Sequence, residues 1–270
     1  MKKGIRKPVF FPKTWSLEQC FATASAKGFQ GMELIFRSGY GQVNSTTRST
    51  LAGDPEGYRS WQSLEASITY AITESQCAEL ATLAAGYGMT INGLASGYST
   101  IDKPNSPIFQ STVEYITKAI ERTRWLGGVS VLVSFEKVSH TVPDRTARQW
   151  VGELLKRLSP IAAAYAVSIA YELVWPAIYE TPGELVEVLE TANHAHVGIY
   201  FDPANVLQHI DEKGQDYKTT PKPEDWLRLL LPHIRSVHMK DYAMATGFCD
   251  LLTGDVNWQA IRSLLWDGRY

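Results

Sequence analysis

Short apolar runs alternate with amphipathic stretches along the whole chain. The runs at 31–36, 89–94, 129–135, 167–173, 197–201 and 234–239 are rich in β-branched and aromatic residues and predict strands. A short first strand is predicted over 8–11. Between the runs, helical periodicity takes over. Ser16 and Gln19 form a capping box, in which each side chain satisfies an orphan N–H of the first turn. The helix they open puts Leu17, Cys20, Phe21 and Ala24 on one face and is closed by Gly28. Further helices are predicted over 75–87, 108–126, 144–165, 223–231 and 258–266, and from the cap Thr181 to about Ala192. Run 129–135 is almost wholly apolar, as suits a parallel strand covered on both faces.

This alternation predicts one α/β domain over 1–270, a (β/α)8 TIM barrel whose sequence ends before strand eight. An open doubly wound sheet is the alternative. The first βα turn has no GxGxxG, which argues against a dinucleotide fold. Residues 37–73 form a long connection rich in Gly, Ser and Thr after strand two. It is expected on the face of the strand C-termini, where long loops act as lids or binding loops.

The chemistry collects at strand ends. Glu172, Asp202 and His238 each stand where an apolar run stops, about 30 and then about 36 residues apart, close to one βα unit. In a barrel such residues converge on the catalytic face. Two carboxylates and an imidazole make a mixed oxygen–nitrogen set suited to Mn²⁺, Mg²⁺ or Co²⁺, and open to Zn²⁺. Glu136 and His140 follow strand four and are further candidates on that face. His194, His196 and His233 precede strands and are assigned to the opposite face. Asn205 is a candidate for binding a substrate hydroxyl. Lys240, two residues past His238, faces the same way and is placed to stabilise an oxyanion. Trp15 and Trp175, near strand ends, are candidates for packing against sugar C–H faces.

The formal net charge of −2 gives no reason to expect nucleic acid as a partner. The basic N-terminus is followed only by Val9, Phe10 and Phe11 before Pro12, too short for a signal peptide. No run reaches the length of a membrane span. Cys20, Cys77 and Cys249 are odd in number and lack CxxC spacing, so free thiols and a cytoplasmic location are expected.

The strings that carry these residues resemble the xylose isomerase-like TIM-barrel superfamily, in its sugar and sugar-phosphate isomerase/epimerase branch. Gly28, Phe29, Gly31, Glu33 and Leu34 are similar to its second strand. Tyr171–Leu173, Phe201–Asn205 and Val237–Asp241 are similar to its glutamate, aspartate and "H-x-KD" strands. Leu252–Trp258 is similar to its Gly-Asp-Val-Asp-Trp run. The resemblance implies a divalent metal held by Glu172, Asp202, His238 and a second glutamate. It implies a sugar or sugar phosphate as substrate, Glu172 as general base and an enediolate intermediate, with homo-oligomers admitted. Two departures stand out: Asn205 replaces a histidine of many relatives, and the second glutamate has no counterpart. The sequence is therefore expected to be truncated, with that glutamate beyond Tyr270; true loss of the strand is the alternative. An endonuclease IV-like phosphodiesterase and a non-catalytic sugar-binding barrel are the competing functions.

Overall fold

The computed structural model describes residues 3–6, 11–12, 15–37, 67–174 and 178–267. One sheet holds β1 (Gly4–Arg6), β2 (Gly31–Arg37), β3 (Ser67–Thr69), β4 (Thr90–Ile101), β5 (Ser130–Lys137), β6 (Ser168–Glu172), β7 (Val197–Phe201) and β8 (Ile234–Val237). All its pairings are parallel and run β1-β2-β4-β5-β6-β7-β8. Strand β3 pairs with the C-terminal part of β2, while β1 pairs with its N-terminal part. Chain-order neighbours joined by helices make the curl of a TIM barrel. Among the described residues β1 and β8 have one neighbour each, so the curl stays open between them. A separate antiparallel hairpin, β9 (Asp241–Ala243) and β10 (Gly247–Cys249), follows β8.

The helices are α1 (Leu17–Ala26), α2 (Glu74–Gly86), α3 (Pro107–Trp125), α4 (Asp144–Ala164), α5 (Pro182–Ala192), α6 (Pro203–Glu212), α7 (Pro223–Leu230) and α8 (Trp258–Asp267). The capping boxes form as the sequence predicts. Ser16 Oγ accepts from Gln19 N at 3.2 Å, and Thr181 Oγ1 accepts from Glu184 N at 3.3 Å. The helices bury apolar faces on the outside of the sheet: Leu154, Leu155 and Leu158 of α4 join one core with Val131, Val133 and Ile169. Each such leucine contributes about 2 kcal/mol through burial.

The concave side carries its own small cluster of Ala95, Leu132, Ala170 and Tyr200, with Ile35 against it. Strand residues of the same parity point inward with them. The approach of β8 to β7 requires Gly198, where a Cβ would collide with the His233 carbonyl.

Several elements differ from expectation. The first strand is Gly4–Arg6, not 8–11; of that run, 8–10 lie outside the described residues, and Phe11 sits in a bend. Strand β4 runs on to Ile101, seven residues past the predicted end, through a register shift between Ala95 and Tyr98. The long connection contains β3, with 38–66 outside the described residues. Helix α6 was not foreseen, nor was the β9–β10 hairpin. Among the described residues no helix is long and apolar enough to cross a membrane, and Cys20, Cys77 and Cys249 are free thiols.

Candidate metal centre

Three consecutive strands deliver the central residues. Glu172 is the last residue of β6, Asp202 follows β7, and His238 follows β8. Glu172 pairs in register with Tyr200, and Tyr200 with Ser236, so Glu172 and His238 rise from the same concave side. Asp202 also caps α6: its Oδ1 accepts from Ala204 N at 3.1 Å and Asn205 N at 3.3 Å. That helix-capping role fixes the carboxylate and turns Oδ2 toward the other two residues.

His238 Nδ1 lies 2.7 Å from Glu172 Oε1 and 3.8 Å from Asp202 Oδ2. Lys240 Nζ lies 2.7 Å from Asp202 Oδ2 and donates to Asn205 Oδ1 at 3.0 Å. Asn205 Nδ2 in turn donates to the Leu173 carbonyl at 2.7 Å. Both ends of the Asn205 amide are thus engaged within the protein, and its oxygen steers Lys240.

Behind the imidazole lies a second layer. His238 Nε2 is 3.5 Å from Glu33 Oε1, and Arg6 Nε reaches the same oxygen at 3.2 Å. The Tyr200 hydroxyl hydrogen-bonds to Glu33, and the Tyr200 ring packs on His238 with centroids 4.1 Å apart. Glu33, Glu172 and Asp202 are all at most 3% exposed. Buried carboxylates demand partners of this kind.

The electrostatics follow from burial and pairing. Burial raises the Asp202 pKa and the neighbouring Glu172 charge adds to it, outweighing Lys240 and His238. Burial also pushes Glu33 up, but hydrogen bonds and charge from His238, with Arg6, hold it below the ordinary value. For His238, burial opposes the charged form, yet Glu172 and Glu33 on its two nitrogens raise the pKa to about 10. Without a metal, His238 is an imidazolium clamped between carboxylates.

The donor set fits a divalent ion. Among the described residues, Glu172, Asp202 and His238 offer ligand atoms that all lie within 4.8 Å of one another. That spacing suits one ion with bonds near ~2 Å, and mixed carboxylate–imidazole donors suit Mn²⁺, Mg²⁺, Co²⁺ or Zn²⁺.

The structure brings together Glu172, Asp202, His238, Lys240 and Asn205. Trp15 is half-buried and packs on Phe11, with centroids 6.1 Å apart. Trp175 lies outside the described residues. Glu136 is half-buried on β5 near Thr100, and His140 is exposed in the turn beyond; neither joins the set. His194 and His196 precede β7 and interact with each other, at the far end of the strands. Sequence reasoning named Glu33 only within the second-strand string, with no role, and missed Arg6 and Tyr200. A charged residue inside the apolar β2 run was the available signal for Glu33.

A family model described as a xylose isomerase-like TIM barrel matches residues 21–270. Among solved structures, L-ribulose 3-epimerase superposes with a TM-score of 0.70 at 18% identity, covering 100% of this chain and 79% of its own. D-psicose 3-epimerase from Clostridium cellulolyticum H10, solved with D-tagatose, gives 0.68 at 16% identity, covering 100% and 82%. The IolI protein, solved with a bound zinc atom, gives 0.63 at 16% identity, covering 99% and 85%. Comparison with curated proteins gives no match. At these identities the likeness to solved structures establishes the fold.

Proposed function

This chain belongs to the xylose isomerase-like TIM-barrel family, and we propose that it is a divalent-metal-dependent isomerase or epimerase of a sugar or sugar phosphate. The convergence of Glu172, Asp202 and His238 at adjacent strand ends carries this reading. These three residues would hold the metal. When bound, a divalent ion supplies Lewis acidity to adjacent substrate oxygens, one of them a carbonyl.

The protein's own groups supply the rest. Glu172 is the general base that takes the proton from the carbon next to the carbonyl. The C–H electron pair moves into the new C–C double bond and the carbonyl oxygen takes up the charge, giving an enediolate. Lys240, held by Asn205 and only partly buried, is the cation available to stabilise that oxygen. Delivery of the proton by Glu172 to the neighbouring carbon on the same face, with the hydroxyl proton passing from one enediolate oxygen to the other, gives isomerisation. Delivery of a proton from a second acid to the original carbon on the opposite face, with the C=O re-forming, gives epimerisation. Trp15 and Trp175 remain the aromatic candidates for the sugar's C–H faces.

Incubation with Mn²⁺ and a panel of ketoses in D₂O tests the reading. The expected result is deuterium at the carbon beside the carbonyl in at least one ketose, with loss of exchange in Glu172→Gln. Metal-loaded protein that exchanges none of them refutes it.

A further inference from the structure

We propose that Glu33 is a positioning residue for the metal centre: its carboxylate faces His238 Nε2 at 3.5 Å and so presents Nδ1 to Glu172 and Asp202. The inference rests on the metal-centre reading above and adds a role for β2 and β1 within it.

The geometry carries the argument. The imidazole has two nitrogens on opposite sides. Nδ1 faces the two carboxylates of the ligand set, at 2.7 and 3.8 Å. Nε2 faces away from them, toward Glu33 Oε1 at 3.5 Å. Glu33 is thus separated from Glu172 and Asp202 by the ring itself and acts on the centre through His238. An acceptor at Nε2 selects the tautomer with the proton there and leaves the Nδ1 lone pair for an ion. A carboxylate does this best, because it also raises the basicity of the ligating nitrogen.

Glu33 is itself held from two sides. Arg6, its register partner across β1 and β2, sits 3.2 Å from Oε1. The Tyr200 hydroxyl hydrogen-bonds to the carboxylate, and the Tyr200 ring packs on the imidazole. Tyr200 therefore limits rotation of the same ring that Glu33 orients. A merely structural Arg6–Glu33 ion pair would need neither contact with His238.

Two measurements decide. Mn²⁺ dissociation constants are compared for wild type, Glu33→Ala and the isosteric Glu33→Gln, with far-UV dichroism as the fold control. Glu33→Ala should weaken binding about 10–100-fold and Glu33→Gln by less, the usual range for losing a ligand's outer partner. Second, ¹⁵N-histidine spectra of the Zn²⁺-loaded wild type should find His238 protonated at Nε2 and bound through Nδ1. The opposite tautomer overturns the inference without any variant. Equal Mn²⁺ affinity in wild type and both variants also overturns it, while leaving the metal centre intact. A wild type that binds no divalent ion overturns the metal centre and this inference together.

Discussion

Asp241 offers the sharpest test of how the site is held. It is buried, begins β9 and stands three residues past His238. Its Oδ1 accepts from Tyr242 N at 2.9 Å and Val256 N at 3.2 Å; its Oδ2 accepts from Leu252 N at 2.8 Å and Trp258 Nε1 at 3.0 Å. One carboxylate thereby ties the start of β9, the loop after β10 and the start of α8. Leu252 adopts φ 72° within that loop, and a Cβ at Gly254 would collide with Asp241 Oδ1.

Replacing Asp241 by Asn keeps one oxygen and turns the other into a donor. The buried Tyr242 and Val256 amides retain the oxygen, while Leu252 N and Trp258 Nε1 face an NH₂ group. Hydrogen bonds to a charged acceptor are worth about 1.5–3 kcal/mol each. Two are lost and two become neutral, and water relieves part of the loss at the rim. The expected cost is about 3 kcal/mol, or about 6–12 °C in Tm for a domain near this size. Burial raises the Asp241 pKa, but Trp258 and the backbone N–H groups overcome it, so the net shift is downward. A lowered carboxylate stabilises above its unfolded value of 3.8 and loses that contribution as pH falls through its folded value. Urea unfolding of wild type and Asp241→Asn from pH 7 down to 3 measures both. A difference under about 1 kcal/mol at pH 7, or one that does not shrink on acidification, refutes the account.

Further outcomes follow from the same geometry. With His238 raised to about 10 against 6.5 unfolded, the metal-free protein should lose stability as pH climbs from about 7 toward 10, and His238→Gln should lack that limb. Because ligation needs the neutral ring, Mn²⁺ affinity should rise over the same window, read by calorimetry in buffers of differing ionisation heat. Lys240→Met removes the cation beside Asp202; it should lower metal-free stability by about 3 kcal/mol, with Mn²⁺ restoring much of it in thermal melts. Gly198→Ala should destabilise by about 1–3 kcal/mol or more in urea, because β8 must retreat from β7.

Much of the frame was legible because it is written in local signals. Helices α3, α4 and α5 and strand β7 fall within a residue or so of the predicted bounds, since periodicity and caps such as Thr181 and Glu184 are local. The convergence of Glu172, Asp202 and His238 was legible because each interrupts an apolar run at or near its end. What escaped depends on pairing. Helix α6 was hidden because Asp202 stands directly after a strand and caps a helix at once, with Pro203 at the first helical position. The Arg6–Glu33 pair was hidden because the first strand was predicted past its true position. A strand's register decides which residues meet, and only the β1–β2 pairing puts Arg6 beside Glu33.

The charges explain why one fold can hold so many buried acids. Three carboxylates, Glu33, Glu172 and Asp202, interleave with three cationic groups, Arg6, His238 and Lys240. Each acid touches at least one of them, so no buried carboxylate of the three is left without a cationic neighbour. The cations are not equivalent. Arg6 pairs with Glu33 behind the His238 ring, away from the ligand set. Lys240 keeps about a third of its side chain exposed and has room to leave Asp202. His238 stands between, shared by Glu172 in front and Glu33 behind. A divalent ion held by Glu172, Asp202 and His238 would compete with the Lys240 ammonium and the His238 proton, and would leave the Arg6–Glu33 pair in place. The Arg6–Glu33 layer behind His238 would therefore stay fixed while the Glu172, Asp202 and Lys240 layer exchanged charge, as the proposed metal binding and proton transfer each require.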